Sequence, residues 1–166
     1  MLQMNVHIWP DLQHKIAGLQ ESQNDGVMRV VASSMLAVVH DRIHEQGLNA
    51  EGGQIGSYSP GYIKVRTNDF LSKTIVRGPK KGQARPVYNR TSDTKVVISL
   101  TRQMENDFKV IATDKGYGLG YSNEENVKKV GYVEATYGEK IFALTDAEIE
   151  TAIGVAKDEI IKLFNQ

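Results

Sequence analysis

Apolar residues three and four positions apart run through residues 27–46, the spacing that lays a stripe along one face of a helix. Val30, Val31, Ser34, Leu36, Val38, Val39 and Ile43 mark that stretch, and Gly47 follows as a residue suited to the left-handed conformation that closes a helix. Leu12, Ile16, Ala17 and Leu19 predict a shorter helix over residues 11–23, entered after Pro10 and ended by a break or turn at Asn24-Asp25-Gly26. From residue 52 to residue 89 the periodicity dissolves among Gly52, Gly53, Gly56, Pro60, Gly61, Gly78, Pro79, Gly82 and Pro86. The expectation is a long loop or arm over about residues 48–92, anchored at Phe70-Leu71 and Ile75-Val76, with residues 77–86 gaining order only against a partner.

A regular pattern returns at Lys95. The β-branched run from Lys95 to Leu100 predicts a strand, and Thr101 caps a helical turn reaching Asp107 with Met104 and Phe108 inward. Residues 108–113 and 117–122 flank Asp114-Lys-Gly116, a hairpin signal. Gly116, Gly118 and Gly120 alternate with Tyr117, Leu119 and Tyr121, so they share one strand face and admit a close neighbour. Ser122-Asn-Glu-Glu125 and Thr145-Asp-Ala-Glu148 read as capping boxes. The first opens a helix to about Tyr137, ended by Gly138; the second opens a C-terminal helix with Ile149, Ile153, Ala156, Ile160, Leu163 and Phe164 on one face. Between them, residues 141–144 form a short strand or docking segment. The fold class is α+β: one domain over residues 1–166 with long N-terminal helices, a small antiparallel sheet, a long basic loop and a C-terminal helix.

Composition narrows the chemistry. Hydrophobic residues make up 40% of the chain, enough for a core, and the lack of cysteine excludes disulfides and thiolate metal sites. The first ten residues lack the basic start and apolar run of a signal peptide, and no apolar segment approaches the ~20 residues of a membrane span. The expectation is a soluble chain with no membrane partner. The net charge is zero but segregated: residues 52–92 hold eight basic side chains against Asp69 alone, whereas residues 1–51 carry −3 and residues 105–166 carry −5. Lys64, Arg66, Lys73, Arg77, Lys80, Lys81, Arg85 and Arg90 are therefore candidates for a surface that meets another subunit or DNA phosphates. The acidic flanks favour the subunit, and the stretch lacks the interleaved aromatic residues of a stacking platform.

Catalytic patterns are weak. His40 and His44 stand one helical turn apart, but Asp41 occupies the place where zinc hydrolases carry glutamate and no third ligand stands out. The glycines of residues 116–120 lie within a strand, unlike a phosphate loop leading into a helix. No nucleophile elbow and no carboxylate pair is identifiable, so the reading is non-enzymatic, with no cofactor and no metal.

Three segments together resemble the virion-morphogenesis proteins of tailed bacteriophages, the tail-completion or head–tail joining group. The first is Arg42-Ile-His-Glu-Gln-Gly47 through Ala50-Glu-Gly-Gly-Gln-Ile-Gly-Ser-Tyr-Ser59, followed by Tyr62 and Arg66. The second is Ile98-Ser-Leu-Thr-Arg-Gln-Met104, where Arg102 replaces the group's usual glycine. The third is Tyr132-Val-Glu-Ala-Thr-Tyr-Gly138 with Ile141-Phe-Ala-Leu-Thr145; an arginine common in the group's lead to the last helix is missing. The resemblance spans about residues 27–160. It implies a structural protein of the virion neck or tail, made in the host bacterial cytoplasm and assembled as a homo-oligomeric ring with neighbouring portal-side and tail-side proteins. A nucleic-acid-binding accessory protein that uses the basic loop is the alternative.

Overall fold

A computed structural model of the chain describes residues 21–88, 90–99, 101–114, 116–138 and 140–164. Five α-helices, one π-helical turn and one two-stranded antiparallel sheet order those residues, the α+β class that the periodicity predicts. Helix α1 (Glu21–His40) turns Val27, Val31, Met35 and Val39 inward at steps of four. It packs along the last helix, whose buried Ala152 and Ala156 allow close approach. Val30 and Val38 point outward, because the steps of four from Val27 already fill the inner face. Nor does the chain turn at Asn24-Asp25-Gly26: α1 continues through it. Burial of Val27 and a hydrogen bond from the Tyr117 hydroxyl to Asp25 (2.8 Å) offset the ~1 kcal/mol that a mid-helix glycine costs. Of the helix expected over residues 11–23, residues 11–20 lie outside the described residues and 21–23 open α1.

At Asp41 the helix widens into a π turn (Asp41–Gln46), with the Gly47 and Leu48 N–H groups both donating to the Arg42 carbonyl. The widening buries Arg42, Ile43 and His44 in succession, which a regular turn of 3.6 residues would spread around the helix. Gly47 ends the turn at φ +63°, as expected of a left-handed cap, and a β-carbon there would clash with the Val96 carbonyl oxygen.

Residues 48–92 are not a structureless loop. Helix α2 (Pro60–Thr67) lies within them, capped by the Ser59 hydroxyl accepting from the Tyr62 N–H and opened by Pro60. Beyond it, residues 72–85 fold back as an arm with its own ladder: Ile75 N–H to Gln83 (2.9 Å), Gly82 N–H to Ile75 (2.8 Å) and Arg85 N–H to Lys73 (2.9 Å). This arm has internal order, contrary to the expectation of a segment ordered only by a partner. The strand expected at residues 95–100 is absent from the described residues 95–99. Val96 and Ile98 are buried, but these residues pair only through the Ser57–Lys95 bridge and bend at Ile98, where the Ser99 N–H donates to the Val97 carbonyl (2.6 Å). Their neighbour turns away at Gly56 (φ +153°) and enters α2, so no ladder can propagate.

Helix α3 (Gln103–Asp107) follows, with Met104 buried; Arg102 takes the cap position in the left-handed region, while the Thr101 hydroxyl accepts from the Gln103 N–H. Strands β1 (Phe108–Thr113) and β2 (Gly116–Tyr121) form the expected hairpin, pairing Phe108 with Tyr121 and Thr113 with Gly116. The expected glycine face also serves close packing: a β-carbon on Gly116 would meet Met28 of α1 at 3.4 Å. Helix α4 (Glu124–Tyr137) is capped by Asn123 rather than Ser122, because the Ser122 hydroxyl is committed to Asp107. Burial pushes the Asp107 carboxyl up, but donors from Ser122, Asn126 and the Asn123 backbone outweigh it and hold its pKa at about 2. Gly138 ends α4 at φ +67°. Ile141 and Phe142 then dock into the core, and the Thr145–Glu148 box opens α5 (Asp146–Phe164) as expected. On α5, Ile149, Ile153, Ile160 and Leu163 are half-buried around fully buried Ala156, and Ile161 lies outside.

Candidate functional site

The three segments that carry the resemblance meet around the π turn. Arg42 is 6% exposed, and its Nε donates to Glu148 at 2.7 Å. Its remaining donors reach three carbonyls: Leu48 (3.1 Å), Ile141 (2.9 Å) and Ala143 (2.8 Å). The other Glu148 oxygen accepts from the Thr145 N–H, so one carboxylate both caps α5 and neutralises the π turn. Losing one partner of such a buried pair costs about 3–5 kcal/mol, because the other is left as an uncompensated buried charge. Two residues on, His44 Nδ1 donates to the Ile98 carbonyl (2.8 Å), tying the second segment to the first. Its ring lies 4.9 Å from that of His40. Among the described residues no group of three or more His, Asp or Glu is placed to hold a metal ion.

The eight basic candidates divide. Lys64 on α2 and Lys73, Arg77, Lys80 and Lys81 on the arm are exposed. Gly78 and Gly82, both at positive φ, fold the arm's tip so that Lys80 and Lys81 stand on its end. The other three candidates serve the fold. Arg66 is 3% exposed, lies 4.3 Å above the Tyr58 ring and donates to the Ser99 carbonyl (2.6 Å), so it does not face a partner from the loop. Arg85 caps the Phe70 ring at 4.0 Å and donates to the Ser72 carbonyl, holding the base of the arm. Arg90 is half-buried against the Ser99 hydroxyl and lies 4.0 Å from Glu105. Burial decides these roles, and it depends on Tyr58, Phe70 and Ser99. Large apolar side chains are exposed on the arm, at Val76, and beside its base, at Leu71 and Val87.

Sequence reasoning misses a groove of about 680 Å³ between α4 and the segments flanking α2 and α3. Tyr58, Tyr62, Tyr132 and Tyr137 line it together with Val96 and Met104, and Arg102 and Lys129 stand at its edge. The one signal for it is Tyr132-Val133 and Thr136-Tyr137, one turn apart on α4. A smaller hollow of about 440 Å³ lies at the Arg42–Glu148 pair, which lines it together with Ala37, Val38, Asp41, Gln46 and Thr145.

No described helix is long and apolar enough to cross a membrane. Comparison of the chain with protein-family models, curated proteins and solved structures returns no match.

Proposed function

We propose that this chain is a structural protein of a tailed-phage virion, acting at the neck or tail end as a ring-forming adaptor in tail completion or head–tail joining. The observation that carries the reading is the convergence of its three resembling segments. Far apart in sequence, they are joined by the bonds of Arg42 to Ile141 and Ala143 and of His44 to Ile98, as parts of one unit. The arm supports the assembly half of the proposal. It sets exposed cations beside exposed Leu71, Val76 and Val87, a mixture suited to a protein surface more than to phosphates alone. A ring built by head-to-tail contacts needs two different complementary patches on each subunit. The hollow at Val38 and Asp41, with Glu45 and Asp146 exposed nearby in sequence, offers an acidic and apolar counterpart to the arm.

The test is deletion of the gene from a phage genome that encodes it, followed by electron microscopy of the lysate. Separate filled heads and finished tails are expected of a joining protein, and headless tails of irregular length of a tail-completion protein. Normal infectious particles would overturn the proposal. The nucleic-acid reading would then lead, and it requires affinity for free DNA falling with a log–log salt slope of about −4 to −5 for five exposed cations.

A further inference from the structure

Arg66 sits behind the tyrosine-lined groove without a counter-charge. It is 3% exposed and, among the described residues, makes no ion pair; its Nε finds no hydrogen-bond partner. A buried guanidinium left in this state is costly, because desolvation is offset only by neutral contacts. Those contacts are the Tyr58 hydroxyl (3.2 Å), the Ser99 carbonyl, the face of the Tyr58 ring and the neighbouring Tyr62 hydroxyl. Tyr58 cannot serve as an anion: burial pushes its hydroxyl up to about 12, against the pull of Arg66 itself.

The rim repeats the imbalance. Arg102 and Lys129 line the opening, and the carboxylate within ion-pair distance of this edge is Glu105, 3.8 Å from Arg102 and 4.0 Å from Arg90. Lys129 is held by two neutral oxygens, those of Gln103 and Asn126. The walls between these cations are apolar and aromatic, and Tyr132 is 69% exposed at the mouth. Such a cleft is cationic at its rim, has Arg66 behind its Tyr58 and Ser99 wall, and is apolar between. It matches a carboxylate set beside an aliphatic or aromatic side chain.

We propose that the groove is a docking site for an acidic, apolar segment of a partner protein. The segment's carboxylate lies between Arg102 and Lys129 over the Ser99 wall and supplies the negative charge missing around Arg66. Its neighbouring apolar side chain fills the space between Tyr62, Met104 and Tyr132. Guanidinium donors favour a planar carboxylate through paired hydrogen bonds, and tyrosine walls give large contact area at low conformational cost. The inference stands on the groove alone and holds whether or not the chain forms a ring.

Phenylacetate, a carboxylate joined to one aromatic ring, is the first probe, with uncharged phenylacetamide as its control. Each is titrated into the full-length protein and followed by amide chemical shifts. Saturable shifts at groove residues including Ser99 and Tyr132 are expected with phenylacetate, and binding at least about tenfold weaker with the amide. The variants Arg102→Gln and Lys129→Gln alter exposed or half-exposed rim side chains. Each is expected to weaken phenylacetate binding several-fold while melting with the wild type. Acetylated hexapeptides pairing Asp or Glu with Phe, Tyr, Leu or Ile are expected to bind more tightly than phenylacetate. Equal binding of the amide overturns the anionic part of the proposal. Shifts elsewhere, or none, overturn the site. Inorganic phosphate competing as well as the peptides overturns the choice of a protein segment.

Discussion

At the scale of single residues, buried charged and polar groups tie distant segments together, as Arg42 does through Glu148 and His44 through Ile98. His44 shows how one such group makes stability depend on pH. Burial lowers its pKa from 6.5 to about 4, the Ile98 carbonyl pulls it up, His40 pushes it down again and Glu105 opposes that. Because the folded pKa lies below the unfolded one, the unfolded chain takes up a proton between pH 6.5 and 4 that the folded chain refuses. Stability is therefore complete above pH 6.5 and falls as pH is lowered through that window, by on the order of 2–3 kcal/mol. Urea denaturation at pH 7 and pH 4.5 should show this loss. A His44→Gln variant, which keeps an N–H for Ile98, should lose most of the dependence; an unchanged slope would place the titration elsewhere. The Arg42–Glu148 pair behaves differently. Its guanidinium also holds the carbonyls of Leu48, Ile141 and Ala143, so an apolar replacement of both partners would leave three buried acceptors unpaired.

At the scale of elements, what was legible in the sequence is what local rules dictate. The β1–β2 hairpin needs only alternation and a glycine at its turn, and the Thr145–Glu148 box needs only two side chains three residues apart. Both form where they were expected. Helix α2 carried its signals too, Ser59 as cap and Pro60 at the first turn, but the surrounding glycines obscured its short period. The run at residues 95–99 was over-read because β-branched residues suit a buried extended segment whether or not a ladder forms beside it. The π turn was not legible, since its register answers to distant groups: Glu148, Ile141 and Ala143 draw Arg42 inward. The basic candidates are visible as residues, yet nothing local separates exposed Lys80 from Arg66, whose burial depends on Tyr58 and distant Ser99. Glycine tests this reading of the junctions. Gly47→Ala should cost at least ~2 kcal/mol, because its φ is +63° and its β-carbon would meet the Val96 carbonyl. Gly131→Ala, inside α4 with nothing within 4 Å of the added carbon, should stabilise by up to ~1 kcal/mol. Thermal melts of the two variants should move in opposite directions, and a neutral Gly47→Ala would refute the account of the π-turn cap.

At the scale of the whole molecule, the chain is a core of α1, α5 and the hairpin from which a basic arm projects beyond α2. The side chains of Lys73, Lys80 and Lys81 are exposed and, among the described residues, bond to nothing in the fold, whereas those of Arg66, Arg85 and Arg90 do, so charge can be removed from the arm without touching its base. The most direct test of the central claim, ring assembly through that arm, is the mass distribution of the purified full-length protein across concentration, with electron microscopy of the assembled fraction. It is compared with a Lys73→Glu, Lys80→Glu, Lys81→Glu variant shown by thermal melting to be folded. Closed rings of one size for the wild type, and dissociated subunits for the variant, are the result expected. A wild-type protein that stays monomeric at every concentration, or a variant that assembles equally well, would contradict the claim.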